Sequence, residues 1–454
     1  MNKLNTNTLF LPIYFCRKYA SRAKRTVLLQ NREKFTEHEY RKAPSIQKRI
    51  YVWGFSETGA LGVNTHEKEA AKRHKAVVHH PTRLNFADRN EVKDIAAGYG
   101  FSAFVTKGGK HDVLYGTGLN SDNQIGLQER GQINDPRKLA LVIYPTPIHI
   151  PNKSNEFKVK CISAGRAHLV FATTDDSFFA LGNNSYGQCG REIIRNEKYH
   201  ESCIVNQINK EQLFNNVEDS IKQLECGQDH TLILTEKGKV LSCGWGSDGQ
   251  TGRGDFLTTG NIDYVNGDIK GENIIKIAST ADCILALNDK GEVFGWGSSE
   301  YGQLDDNHNG CQFHTPIKLK LTKGFGKIID IASGGSFCMI LNDEGDVFTW
   351  GYGILGFGPH VEQSSIPKQL VPVMFNRNEF NRNCKVESIY CGVFHMAAIN
   401  SDNDLFMWGK NRFGCLGLGH SKDQFFPFKT TINAKVKKLS CGVDHNLALC
   451  IPFI

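Results

Sequence analysis

The sequence predicts an all-β fold: a seven-bladed β-propeller of four-stranded blades, its ring closed by pairing the N-terminal strand with the C-terminal one. Three observations point there. First, two glycine turns alternate along the chain. One reads C/A/S-G-x-x-H-x, as in Cys226-Gly227-Gln228-Asp229-His230-Thr231, and the other reads W-G-x-N/S-x-x-G-Q-L-G, as in Leu181 to Gly190. Second, the spacing from the first turn to the second is nearly constant. It is 20 residues from Gly98 to Gly118, then 17 for Gly165–Gly182, Gly227–Gly244, Thr280–Gly297, Gly334–Gly351 and Gly392–Gly409. Third, the two ends are complementary: Trp53-Gly54 has no preceding CG turn, and Cys441-Gly442-Val443-Asp444-His445 has no following WG turn.

Each element follows from local chemistry. Every 17-residue interval holds two short apolar runs around a polar turn, such as Thr231–Leu234, Glu236-Lys237-Gly238-Lys239 and Val240–Cys243. Apolar runs flanking a Gly/Asp/Asn turn signal a β-hairpin. The WG glycines fall at 54, 118, 182, 244, 297, 351 and 409, a period of about 59. That length holds one hairpin plus a return segment, enough for a four-stranded blade. Six hairpins are continuous in the chain, and the seventh requires the first strand to pair with the last. Closure removes the edges that an open solenoid has to cap. Residues 50–454 are therefore read as one propeller, and 1–49 as a leader and linker.

Charge separates the same two parts. The net charge is +7, yet residues 1–49 carry twelve Lys/Arg against three Asp/Glu, so the remainder sits near −2. No acidic residue precedes Glu33, and Arg17, Lys18, Arg22, Lys24 and Arg25 lie among Ser, Thr and small residues. This composition suits a mitochondrial targeting leader, with the protein in the matrix or on the matrix face of the inner membrane. Arg17-Lys18-Tyr19 before Ala20-Ser21 would place a cleavage after Tyr19. The competing reading is a secretory signal with Leu9–Cys16 as its apolar core, a run interrupted by Pro12. No segment reaches the ~20 apolar residues of a membrane span, so any membrane contact is expected to be peripheral. The ring is expected to be monomeric.

Residues that resemble chemistry mostly occupy repeat positions. His168, His230, His395 and His445 recur at one place in four blades, where the others carry Phe101, Cys283 and Phe337. A catalytic histidine would be single; four equivalent ones suit ring nitrogens that satisfy backbone groups between strands. The cysteines of the CG turns (Cys226, Cys391, Cys441) and WG loops (Cys189, Cys415) read as small buried packing residues. There is no CxxC pair to suggest zinc, and no P-loop to suggest a bound nucleotide. No catalytic, cofactor or metal residue is assigned.

Two candidate binding features remain. Asp229, Asp282 and Asp444 follow the CG turns of three blades; they either line one rim to meet a partner's cation or bond their own turn backbone. Residues 408–440 hold Lys410, Arg412, Lys422, Lys429, Lys435, Lys437 and Lys438 against one acid, Asp423, with Phe425-Phe426-Pro427-Phe428 among them. Basic residues interleaved with aromatics suit RNA, and solvated lysines on an outer strand explain the same run. The return segments Asn64–Asn90, Gln128–Glu156 and Arg191–Ser220 are the longest, and loops on a rigid scaffold are where recognition is expected.

The motifs Gly182-Asn183-Asn184-Ser185-Tyr186-Gly187-Gln188-Cys189-Gly190-Arg191, Cys226–Thr231, Trp350–Gly356, Trp408-Gly409-Lys410-Asn411 and Cys441–His445 carry a family resemblance. Over residues 50–454 the chain resembles the regulator-of-chromosome-condensation repeat family, and most of all its mitochondrial, G-exchanging-factor-like branch. The resemblance implies guanine nucleotide exchange on a GTPase, which needs binding but no covalent chemistry. The family's founding member acts on the nuclear GTPase Ran with an Asp directly after the Gly of certain CG turns. Here those positions hold Tyr99, Arg166, Gln228, Ala281, Gly335, Val393 and Val443, none acidic, and a matrix leader separates the chain from Ran. The mitochondrial branch implies instead a dynamin-like fusion GTPase of the inner membrane. It also implies an alternative, a ribosome assembly scaffold contacting large-subunit ribosomal RNA and its modification enzymes. A third reading is a platform that only holds other proteins together.

Overall fold

The computed structural model describes residues 48–63, 76–132, 135–151, 157–201, 203–304 and 312–453. Residues 1–47, on which the expected targeting role and cleavage site fall, lie outside them. The described chain forms seven four-stranded antiparallel sheets and one extra two-stranded ribbon. Each sheet runs from an inner strand at a central channel to an outer strand at the rim. Numbered in chain order, blades one to seven have the inner strands Val92–Ala97, Val159–Ala164, Ile221–Cys226, Ile274–Ser279, Ile328–Ser333, Val386–Cys391 and Lys435–Cys441. The ribbon, Glu129–Gln132 with Asp135–Lys138, lies in the return segment of blade one.

Closure occurs in blade seven. Its order from the rim is Val77–Arg83, Arg49–Phe55, His445–Ile451 and Lys435–Cys441, so each end of the chain supplies two strands. Arg49–Phe55 pairs with His445–Ile451 in unbroken register, from Arg49 opposite Cys450 to Gly54 opposite His445.

The antiparallel order gives the ring two faces. CG turns and WG loops cap one, the turn face; tight hairpins and outer-to-inner links cap the other, the hairpin face. Second strands such as His230–Thr235 and Phe337–Asn342 are buried at every residue. They lie between adjacent blades as well as between strands, which is why they read as continuous apolar runs.

Adjacent blades are locked by two repeated devices. Trp53, Trp296 and Trp350 are fully buried, and each indole donates backward to a WG-loop carbonyl of the preceding blade: Cys415 at 2.7 Å, Gln250 at 2.9 Å and Gln303 at 2.8 Å. The histidines reach forward. His445 Nε2 meets Ser102 Oγ at 2.9 Å, His168 meets Thr231 Oγ1 at 3.1 Å, His230 meets Ser279 Oγ at 3.1 Å and His395 meets Asn446 Oδ1 at 2.9 Å. Their role is structural: each meets a side chain of the next blade, and His168 and His445 also meet the backbone there, at His230 and Phe101, as expected of them. A repeat read strand by strand contains no information about which neighbour a ring will face.

The two glycines of the repeat have different reasons. The WG glycines adopt left-handed φ (Gly244 at +114°, Gly409 at +117°), open to glycine at little cost. The CG glycines are set by packing: a Cβ on Gly227 would lie 2.0 Å from the His230 ring and 2.5 Å from the Ala281 carbonyl of the next blade. Gly227→Ala is therefore expected to destabilise the ring by about 1–3 kcal/mol through overpacking, read as a lower denaturation midpoint. Unchanged stability would show that the turn can relax away from its neighbour.

The outer strands are exposed edges, and most carry proline: Pro81, Pro145 and Pro147, Pro316, Pro367 and Pro427. Proline cannot donate to an added strand, so these edges resist pairing with another chain. Blade two's outer strand is only Asn206–Ile208. That of blade three, Thr259–Tyr264, has no proline; instead Arg253 reaches across it and donates to the Asn261 carbonyl at 2.6 Å.

Candidate interaction faces

The three rim acids lie on the turn face, and neighbouring side chains hold them. Arg166 reaches from blade two to Asp229 (Nη2 to Oδ2 2.7 Å), and Gln188 donates to the same carboxylate at 3.4 Å. Gln250 donates to Asp282 at 3.0 Å, and Arg412 Nε lies 3.8 Å from Asp444. Burial pushes the pKa of all three upward, opposed at Asp229 by Arg166, at Asp282 by the Gln250 hydrogen bond and at Asp444 by Arg412. The carboxylates therefore act first between blades.

The 408–440 stretch does not form one surface. Lys410, Arg412 and Lys422 follow the WG turn of blade six on the turn face. Lys429 and Lys437 lie at the opposite ends of their strands, where Lys429 pairs with Asp404 at 2.5 Å and Lys437 donates to Asn403 at 2.6 Å. Lys435 opens the same inner strand and is exposed on that hairpin face. Lys438 lines the channel and pairs with Asp94 of blade one. Antiparallel strands carry consecutive segments to opposite ends of a blade, so proximity in sequence is lost.

On the turn face the blades are joined by aromatic pairs. The residue four past one WG glycine packs on the residue just past the next: Tyr186 on Trp245 (4.6 Å), Tyr301 on Tyr352 (5.0 Å, stacked) and Phe413 on Phe55 (4.3 Å). At the first junction the same positions hold a polar version, Asn183 donating to Asp122 at 2.8 Å. Tyr301, Tyr352 and Phe394 remain 36–41% exposed, with the Lys410 ammonium 5.8 Å from the Phe394 ring. Aligning the repeats on their WG glycines would have revealed this pairing; reading each motif singly did not.

At the centre, inner strands of all seven blades enclose a cavity of about 340 Å³. Tyr99 crosses its turn-face mouth, its hydroxyl donating 3.1 Å to the Thr280 carbonyl of blade four. Lys276 of blade four pairs with Asp330 of blade five inside the ring. Glu225 also lines the cavity and accepts from Gln223 at 3.2 Å. Neither Tyr99 nor Glu225 was singled out for the channel by sequence, because inner-strand positions become a ring only when seven blades assemble. All described cysteines are free thiols.

These features can be set beside known proteins. Residues 205–451 match the RCC1-like domain, and residues 48–105 and 92–124 match the regulator of chromosome condensation (RCC1) repeat. The chain is 40% identical over 415 residues to the human RCC1-like G exchanging factor-like protein, covering 89% of this chain and 87% of that one. It belongs to the RCC1 repeat family. The mouse RCC1-like G exchanging factor-like protein is likewise 40% identical over 415 residues. Among solved RCC1-type rings, human WBSCR16 superposes with a TM-score of 0.81 at 39% identity, covering 90% of this chain and all of that one. Yeast RCC1 (Prp20), solved bound to Kap60, gives 0.71 at 19% identity over 90% of each chain, a likeness of fold alone. The seven-bladed propeller expected from the glycine spacing is thus the observed fold, and the family is the one that the motifs resemble. No helix among the described residues is long and apolar enough to cross a membrane.

Proposed function

We propose that this RCC1-family ring is a guanine nucleotide exchange factor for a mitochondrial dynamin-like GTPase, acting through its turn face. The observation that carries the reading is the 40% identity to the human RCC1-like G exchanging factor-like protein across nearly the whole of both chains. Exchange requires only a surface that binds the nucleotide-free GTPase more tightly than the nucleotide-bound form. The turn face supports this with a rigid array: rim acids two residues after the CG position rather than one, exposed Tyr301, Tyr352 and Phe394, and the cations Lys410 and Arg412. Mitochondrial placement rests on the leader composition.

The alternative, a scaffold on large-subunit ribosomal RNA, drew on residues 408–440 as one basic patch. Its lysines fall on two faces and in the channel, two of them paired with acids, so that support is lost. The experiment follows release of a fluorescent GDP analogue from a purified mitochondrial dynamin-like GTPase. The ring is expected to accelerate release. The double variant Lys410→Glu/Arg412→Glu is expected to lower that acceleration by about tenfold or more through charge reversal at the contact. Lys435→Glu/Lys437→Glu on the hairpin face is expected to leave it intact. If instead release never accelerates, and the second variant abolishes RNA cross-linking in mitochondria, the scaffold reading replaces this one.

A further inference from the structure

We infer that the central channel is a binding site for a small organic ammonium ion, with the Glu225 carboxylate as its anchor. The inference is independent of the GTPase reading. It starts from the ion pairs of the cavity. Of its two lining acids, Asp94 is neutralised by Lys438 of the neighbouring blade, and the lining Lys276 is held by Asp330, which lies behind the lining. Glu225 forms no ion pair among the described residues; its carboxylate accepts the Gln223 amide at 3.2 Å and is further held by the Ser279 backbone of blade four. Lys222, Lys276 and Lys438 also line the cavity, so Glu225 is not a surplus charge; it is the acid of the lining that has no ion-pair partner among the described residues, and it faces a space of about 340 Å³.

The space beside Glu225 is open because its surroundings are small. Counting back two residues from the CG position in each blade gives Ala96, Ser163, Glu225, Ala278, Ala332, Tyr390 and Ser440, all lining the cavity. Five of the seven are Ala or Ser, so a single carboxylate projects among short side chains, with Tyr390 as the one aromatic wall. Tyr99 closes the turn-face end. Lys222, exposed at the start of its inner strand, lies toward the hairpin-face end, so entry is from that side.

The chemical class follows from the donor set. A divalent cation needs several anionic or oxygen ligands converging on one point, and no group of three or more His, Cys, Asp or Glu is so placed among the described residues. A primary ammonium needs one carboxylate, neutral acceptors and, where available, an aromatic face. The cavity supplies these. Burial raises the Glu225 pKa to about 7, the effect being moderated chiefly by Lys276 and then by Gln223, so the empty site is poised between its two protonation states near neutrality. The other ionisable groups around the cavity are Lys222, Lys276 and Lys438, the acids Asp94 and Asp330, the phenols of Tyr99 and Tyr390, and the thiols of Cys161, Cys226, Cys391 and Cys441.

The test is calorimetric titration of the full-length chain with 1,4-diaminobutane, alongside 1,4-butanediol as a neutral analogue of the same shape. The diamine is expected to bind saturably, and the diol not at all. Affinity is expected to fall about tenfold per pH unit below pH 7 as the carboxylate takes up its proton. At pH 6 each binding event should release a proton, read from the dependence of the heat on the buffer's ionisation enthalpy. Glu225→Gln keeps the shape and is expected to abolish both binding and proton release. Ala278→Val, which narrows the cavity without touching a charge, is expected to weaken binding while leaving the proton count unchanged. Equal binding of diol and diamine, saturable binding that survives Glu225→Gln, or no saturable heat at millimolar diamine would each overturn the assignment.

Discussion

Replacing Trp53 by alanine is expected to remove about 3–5 kcal/mol of stability, the range for deleting a fully buried large aromatic. Trp53 is 0% exposed and packs in a core that includes Met407, Leu416 and Ala448, so it joins blade six to both ends of the chain. Its indole also donates to the Cys415 carbonyl at 2.7 Å. Folded domains are stable by only about 5–15 kcal/mol, so this loss is a large fraction of the total. Trp53→Phe is expected to lose less, about 1–2 kcal/mol, because most of the ring volume stays and Asn446 still donates to Cys415 at 2.6 Å. Trp408→Phe should be milder still, since its indole nitrogen has no hydrogen-bond partner among the described residues. Denaturant unfolding with an unchanged slope would measure all three. A Trp53→Ala midpoint close to that of the parent would mean that closure does not depend on this side chain.

Acid is the second strong lever. Burial lowers the pKa of His168 and His230 to about 3, and of His395 and His445 to about 4, from an unfolded value near 6.5. Below pH 6.5 the unfolded chain takes up protons at these rings while the folded ring refuses them. Stability is therefore complete above about 6.5 and is lost as pH falls toward 4 and then 3. Each histidine contributes about 1.4 kcal/mol per pH unit once its unfolded form is protonated, so four together give about 5 kcal/mol per unit below roughly pH 5.5. Glu225 acts in the opposite sense between 4.5 and about 7, as one group against four. Denaturation from pH 7.5 to 4.5 is expected to show a steep loss that is shallower in His230→Gln. A flat profile down to pH 5 would mean that the rings are protonated in the folded state, contrary to their burial.

Much of the ring was legible in the sequence because its determinants are local and repeated. A glycine with left-handed φ, a polar hairpin turn and a run of apolar residues each act within a few positions, and seven copies make the signal unmistakable. Closure was legible too, since Trp53-Gly54 lacked what Cys441–His445 supplied. The candidate sites were less legible. The histidines were correctly read as structural, yet their partners lie 49 to 343 residues away in sequence, from His230–Ser279 to Ser102–His445.

The basic stretch shows where reading along the chain fails. Lys437 and Lys438 are adjacent in sequence, but one bonds Asn403 on the hairpin face and the other enters the channel to pair with Asp94 of blade one. Strand pleating sends neighbours to opposite sides, and antiparallel order sends successive segments to opposite ends.

By itself, then, the sequence determined the number of blades, the closing partners and the residues that serve as scaffold, all of which depend on chemistry within one repeat. Tertiary structure alone decided which charges meet, that Tyr99 spans the channel mouth and that Glu225 has no ion-pair partner among the described residues. Those outcomes depend on distances across a ring, and a distance across a ring exists only after the last strand has paired with the first.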